Sequence, residues 1–158
     1  MEILRCEGVR KVYGSGESRV AALDGVNLSL GKGEFAAVVG TSGSGKSTLL
    51  HILGSVEQPT EGHVFIEGKD ITSLNRTQSA LLRRRKVGIV YQFYNLIPTL
   101  TVRKNIMFPL ENLKGKDRLS KEEMEKRVLD AAKMVSLEEL LDQEEVFSLE
   151  HLMTLCSI

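Results

Sequence analysis

Apolar positions follow two different periods along this chain. Glu2 to Tyr13 reads as a strand, and Gly14 to Ser18 is a small-residue turn. From Val20 to Leu30 the apolar residues Val20, Ala22, Val26, Leu28 and Leu30 mostly alternate with polar ones, as on a half-buried strand. Glu34 to Val39 ends in Ala-Ala-Val-Val without alternation, the pattern of a strand buried on both faces. Gly62 to Gly68 reads as a strand bounded by glycines, and Val87 to Tyr91 as another short one.

Helical spacing appears from Lys46 to Leu53, with Gly54 and Pro59 behind it as stop signals. A second helix runs to Arg85, with either Asn75 or Thr77 as its cap. Leu96 to Pro98 is a loop, and Thr101 to Leu110 a short helix. Ser120 with Glu123 makes a capping box. Met124, Val128, Ala131, Ala132 and Val135 behind it predict an amphipathic helix over Ser120 to Val135. After Ser136 six acidic residues meet no Lys or Arg, and Val146 to Ile158 has no periodicity.

Composition narrows the classes. A chain of 158 residues with 42% apolar and 27% charged residues is an ordinary globular protein of about one domain. Lys plus Arg equals Asp plus Glu at 21 each, so the charge balance asks for no nucleic-acid partner. The basic run Arg83 to Lys86 reads as a solvated helix end that suits the helix dipole. Cys6 and Cys156 belong to no metal-ligand cluster, which fits a reducing cytosol. No signal core follows the N-terminus and no apolar run is long enough to span a bilayer, so a membrane is expected to be reached through a partner.

One segment carries chemistry. Gly40-Thr41-Ser42-Gly43-Ser44-Gly45-Lys46-Ser47 fits G-x-x-x-x-G-K-[ST] at every fixed position. Glycines let the backbone curl around an anion and aim successive N–H groups at it. The loop runs into a helix N-terminus, which favours negative charge. Lys46 brings a full charge to phosphate, and the Ser47 hydroxyl is a hard oxygen for Mg²⁺. Expected nucleotide contacts are therefore Gly40, Thr41, Ser42, Gly43, Ser44, Gly45, Lys46, Ser47 and Thr48, with ATP and Mg²⁺ as the ligands.

With this loop, further stretches resemble the ATP-binding subunits of ABC transporters. Tyr13, in Lys11-Val12-Tyr13-Gly14, stands where that family keeps an aromatic that stacks on adenine. Val90 to Pro98 resembles the family's Q-loop, which implies that Gln92 reaches toward Mg²⁺ and couples the site to a membrane subunit. Leu100-Thr101-Val102 and Asn105-Ile106 continue the likeness, which is strongest to the bacterial exporter branch for lipoproteins, macrolides and antimicrobial peptides. The resemblance implies an α/β P-loop fold of the ABC ATPase type, with an N-terminal antiparallel β portion, an incomplete parallel sheet and the start of the helical subdomain. It also implies a homo- or heterodimer docked on a membrane-spanning transporter subunit, cytoplasmic and peripheral to the membrane.

The likeness runs from about Ile3 to Leu141, so a partial ATP-binding domain is expected at residues 1–142 and a divergent tail at 143–158. The family's Leu-Ser-Gly-Gly-Gln signature is not found in this sequence, nor is its run of four apolar residues before Asp-Glu. No catalytic residue is therefore assigned, and His51, His63 and His151 read as structural or surface residues. A nucleotide-binding module without turnover is the alternative. A kinase or GTPase lacks support, because the Asn-Lys-x-Asp pattern for guanine is absent. Unfilled places in the sheet would leave apolar faces open and the chain prone to aggregate.

Overall fold

The computed structural model describes residues 1–91 and 95–143. The chain divides into two compact units, Met1–Val90 and Tyr91–Ile158.

The first unit is built on an antiparallel sheet. Strand β1 (Glu2–Tyr13) pairs with β2 (Val20–Gly31) on one side and with β3 (Glu61–Ile66) on the other, and the short β4 (Lys69–Asp70) completes the order β2-β1-β3-β4. The alternation in β2 places Leu23 inward, while Cys6 and Val9 of β1 and Val64 and Ile66 of β3 face the same core. Helix α1 (Lys46–Leu53) covers that face with Leu49, Ile52 and Leu53. Burial pushes the Cys6 thiol up, away from the reactive thiolate, so Cys6 acts as a small core residue. Helix α2 (Arg76–Lys86) starts at Asn75, which with Gln78 forms a reciprocal capping box, so Asn75 rather than Thr77 is the cap.

Two expected strands differ from the structure. Residues 34–39 and 87–91 belong to no ladder, and Phe35 is 96% exposed. A strand buried on both faces needs a neighbour on each side. The described sheet is filled by β1 to β4, none of which pairs with either segment. The β3–β4 hairpin was in turn not expected. It turns through Glu67 and Gly68, both at positive φ, and is fastened by Asp70, which accepts from the Thr72 backbone N–H at 2.8 Å and meets His63 Nδ1 at 2.9 Å.

In the second unit, α3 (Val102–Glu111) is capped by Thr101 and α4 (Lys121–Met134) by Ser120, which accepts from the Glu123 N–H. Val102, Val128, Ala132, Leu137 and Leu141 form a separate core. Asn105 secures the loop before α3 by accepting from the Ile97 N–H and donating to the Ile97, Leu100 and Thr101 carbonyls. Arg103 clamps the Asp142 carboxylate with two bonds and reaches Glu125 at 3.0 Å.

Two measurements test this packing. Ile52 is 1% exposed and Leu50 on the same helix is 56% exposed. Ile52→Ala should cost about 2–5 kcal/mol in denaturant unfolding, and Leu50→Ala about 0.5 kcal/mol or less. The second concerns acid. The Thr72 hydroxyl beside Asp70 holds its carboxyl below the ordinary range, with help from the Thr72 N–H and His63 and against the effect of burial. A carboxyl depressed on folding stabilises above its unfolded pKa of about 4 and loses that contribution as pH falls further. Asp70→Asn should therefore melt with a shallower pH dependence below about pH 4 than the parent chain.

Candidate phosphate-binding site

The loop between residues 40 and 45 is held from within by its own lysine. Lys46 Nζ donates to the Gly40 carbonyl at 2.9 Å and the Thr41 carbonyl at 2.6 Å, and approaches Ser44 Oγ at 3.4 Å. A trans peptide is planar, so turning these carbonyls to the lysine turns the N–H groups of Thr41 and Ser42 the other way. Ser44 N–H closes a turn on the Thr41 carbonyl at 3.3 Å. Gly43 (φ +78°) and Gly45 (φ +87°) take the left-handed conformations that the curl requires.

Gly45 is also the N-cap of α1. It has no side chain with which to accept from the first helical turn, and the ladder begins with Leu49 N–H to the Gly45 carbonyl at 2.8 Å. This leaves the first-turn N–H groups with no acceptor from the cap side chain, at the end of the helix where the dipole is positive. A Cβ at Gly45 would lie 2.3 Å from the Ala22 carbonyl oxygen and 3.0 Å from Leu23 Cδ2. The loop can therefore approach β2 only because residue 45 is glycine.

Ala22, Ser42, Gly43, Ser44, Gly45, Lys46, Ser47 and Thr48 line a hollow of about 240 Å³. Its lining offers backbone N–H groups, three serine hydroxyls, a threonine hydroxyl and an ammonium, with no carboxylate among the described residues. That donor set fits an anion with several oxygens. It also fits a hydrated Mg²⁺ held mainly by phosphate and water, to which Ser47 could add one hard oxygen. Gly40 and Thr41 take part through their carbonyls rather than as lining. Gln92 lies outside the described residues.

Tyr13 ends β1 and pairs with Val20, two residues before Ala22 on β2. A strand rises about 3.4 Å per residue, which puts this end of β1 within roughly 7 Å along β2 of the hollow's wall. The ring is 41% exposed, and its hydroxyl donates to Glu57 Oε2 at 2.8 Å. Sequence reasoning did not find Ala22, Lys11 or Glu57. Ala22 contributes backbone, which no residue pattern marks, and Glu57 reads only as a polar residue in the turn after α1.

Comparison with known proteins gives this geometry a family. The profile of the ABC transporter family matches residues 23–151. The chain is 50% identical over 109 residues to the lipoprotein-releasing system ATP-binding protein LolD of Aquifex aeolicus, covering 69% of this chain and 47% of that protein. It is 42% identical over 137 residues to the uncharacterized ABC transporter ATP-binding protein MJ0796 of Methanocaldococcus jannaschii, covering 87% of this chain and 58% of the relative. A solved dimeric structure of the MJ0796 cassette bound to ADP and Pi superposes with a TM-score of 0.81 at 40% identity, over 90% of this chain and 61% of that one. The chain thus spans about half the length of the curated relatives it matches. The fold is the α/β P-loop type of the ABC ATPases, here with its antiparallel N-terminal sheet.

Replacing Gly45 tests the site's construction. Gly45→Ala should lower stability by more than about 1 kcal/mol, because it meets both a left-handed backbone and the Ala22 carbonyl. Gly88, around which a Cβ would meet nothing within 4 Å, is the control. Gly88→Ala should stay within about 0.5 kcal/mol in the same thermal or urea unfolding experiment.

Proposed function

We propose that this chain, which belongs to the ABC transporter family, binds Mg-ATP through residues 40–48 as the ATP-binding part of an export system. The observation that carries the reading is the hollow at the start of α1, lined by donors and braced by Lys46 against the Gly40 and Thr41 carbonyls. In this reading the N–H groups and hydroxyls from Ser42 to Thr48 hold the phosphates, and Lys46 adds positive charge. Ser47 would offer oxygen to the metal, which would neutralise phosphate charge; the family resemblance assigns Gln92 a metal role as well, and it lies outside the described residues. Tyr13 offers its ring to the adenine base.

The export assignment draws on relatives called lipoprotein-releasing and macrolide export ATP-binding proteins, at 50% and 43% identity. A methionine import ATP-binding protein at 43% identity marks the breadth of the likeness. No helix among the described residues is long and apolar enough to cross a membrane. From the family and the dimeric solved relative, the proposed partners are a membrane-spanning transporter subunit and a second ATP-binding subunit, with the chain peripheral to the cytoplasmic membrane. The ATP-binding domain occupies residues 1–142 in this reading, and 143–158 form a tail without an assigned role.

A second reading rests on the lining: among the described residues it offers donors and a cation, groups that hold phosphate rather than orient water. On that reading the chain binds nucleotide without turning it over, as a regulatory partner of a complete subunit. Both readings require the loop. Lys46→Ala should weaken Mg-ATP binding about 10- to 100-fold by calorimetric titration, as expected for lost charge-assisted bonds. Unchanged affinity would reject both. Phosphate release tests the second: the purified chain should release phosphate no faster than the Lys46→Ala chain, and clear Lys46-dependent turnover would reject that reading.

A further inference from the structure

Tyr13 stands at the end of a strand with much of its ring exposed, where an unrestrained tyrosine would sample several rotamers. Ordering such a side chain on binding costs affinity, and a ring already held does not incur that cost. The structure holds it. Its hydroxyl donates to Glu57 Oε2 at 2.8 Å, and Glu57 Oε1 lies 2.9 Å from Lys11 Nζ. The Lys11 ammonium is placed over the Tyr13 ring, 5.2 Å from its centroid, and donates to the Gln58 carbonyl at 2.7 Å. The three side chains thus form a closed circuit. The Lys11 and Glu57 side chains are 15% and 29% exposed, so the pair is less screened than a surface one.

The circuit is anchored to the phosphate loop through one helix. Val56 and Glu57 N–H groups both donate to the His51 carbonyl near the C-terminal end of α1, at 2.8 and 3.2 Å. Lys46 begins that same helix. Thr60 fastens the turn to β1, donating from its N–H to the Arg10 carbonyl at 2.8 Å and accepting from the Val12 N–H at 3.0 Å.

We propose that Lys11 and Glu57 are positioning residues that fix the Tyr13 ring for base stacking, Lys11 occupying one face and leaving the other for a purine. The proposal rests on the reading that the chain binds ATP. The charge state agrees with it. Burial alone would raise the Glu57 carboxyl, but the bonds from Lys11 and Tyr13 and the charges of Lys11 and His51 together hold it below the ordinary range. Glu57 therefore stays ionised at neutral pH and keeps hold of both partners.

The test compares Mg-ATP with inorganic tripolyphosphate, which carries the phosphates without a base. Calorimetric affinities would be measured for the parent chain, Glu57→Gln, Lys11→Met, Lys11→Arg, Tyr13→Ala and the Tyr13→Ala/Glu57→Gln double variant, each checked for an unchanged melt. Glu57→Gln and Lys11→Met should weaken ATP about fivefold and leave tripolyphosphate unchanged, and the double variant should bind ATP no more weakly than Tyr13→Ala alone. Lys11→Arg, which keeps the charge over the ring, should restore most of the ATP affinity. Equal losses for both ligands, additive losses in the double variant, or no loss at all would overturn the proposal. If Tyr13→Ala leaves ATP binding intact while Lys46→Ala weakens both ligands, the phosphate reading stands and the stacking clamp falls. If Lys46→Ala weakens neither, the nucleotide reading fails and the clamp with it.

Discussion

The contact on which the site depends is one in which a side chain would be an obstacle. At Gly45 the chain passes so close to the Ala22 carbonyl of β2 that even a methyl group would intrude to 2.3 Å. That approach sets where α1 begins, and so where its first-turn N–H groups and Lys46 stand relative to the sheet. The helix is then pinned from below by Leu49, Ile52 and Leu53 against Cys6, Val9 and Val64. Packing fixes the helix, the glycine fixes its start, and Lys46 fixes the curl of the preceding loop by taking two of its carbonyls. Removing the glycine would move all three together, because neighbours that share one backbone segment do not respond independently.

Much of this was legible in the sequence, for local reasons. The caps of the helices are short-range chemistry: Ser120 is read from Glu123 three residues on, and Asn75 is one of two candidates that the sequence offers for α2. The loop was legible because its glycines, lysine and serine stand at fixed spacings within eight consecutive residues. Segments 34–39 and 87–91 carry strand-like apolar runs, yet whether such a run becomes a strand depends on a neighbour that the run does not contain. Phe35 and Val39 at 96% and 87% exposure show a pattern without its partner. The β3–β4 hairpin failed in the opposite direction, since a two-residue strand has too short a period to detect. Its fastening by Asp70, Thr72 and His63 is a tertiary arrangement of ordinary polar residues.

The second unit relies on polar groups where the first relies on a glycine. Its core is small, and the segments around α3 are tied by two side chains of that helix. Asn105 spends both its carbonyl and its amide on the Ile97–Thr101 turn, while Arg103 gathers Asp142 and Glu125. The Arg103 N–H also donates to the Leu141 carbonyl at 2.8 Å, and Val102 N–H to Gln143 at 3.0 Å. Backbone and side-chain bonds from one turn of helix thus hold residues some forty positions downstream. Bonds of this kind constrain direction more than they add stability, because exposed ion pairs contribute little.

Holding a triphosphate and cleaving it make different physical demands on a site. Holding requires many donors converging on a small volume, which a glycine-rich turn and one helix end supply within nine residues. Cleavage requires a further group that orients water against the phosphate, and charge placed where it develops during transfer. Among the described residues the hollow is lined by donors and one cation. A carboxylate set among them would repel an anion that the donors attract. Affinity for a nucleotide and competence for turnover are separable demands on a site of this kind, because the first needs donors on the phosphates and the second a group that orients water.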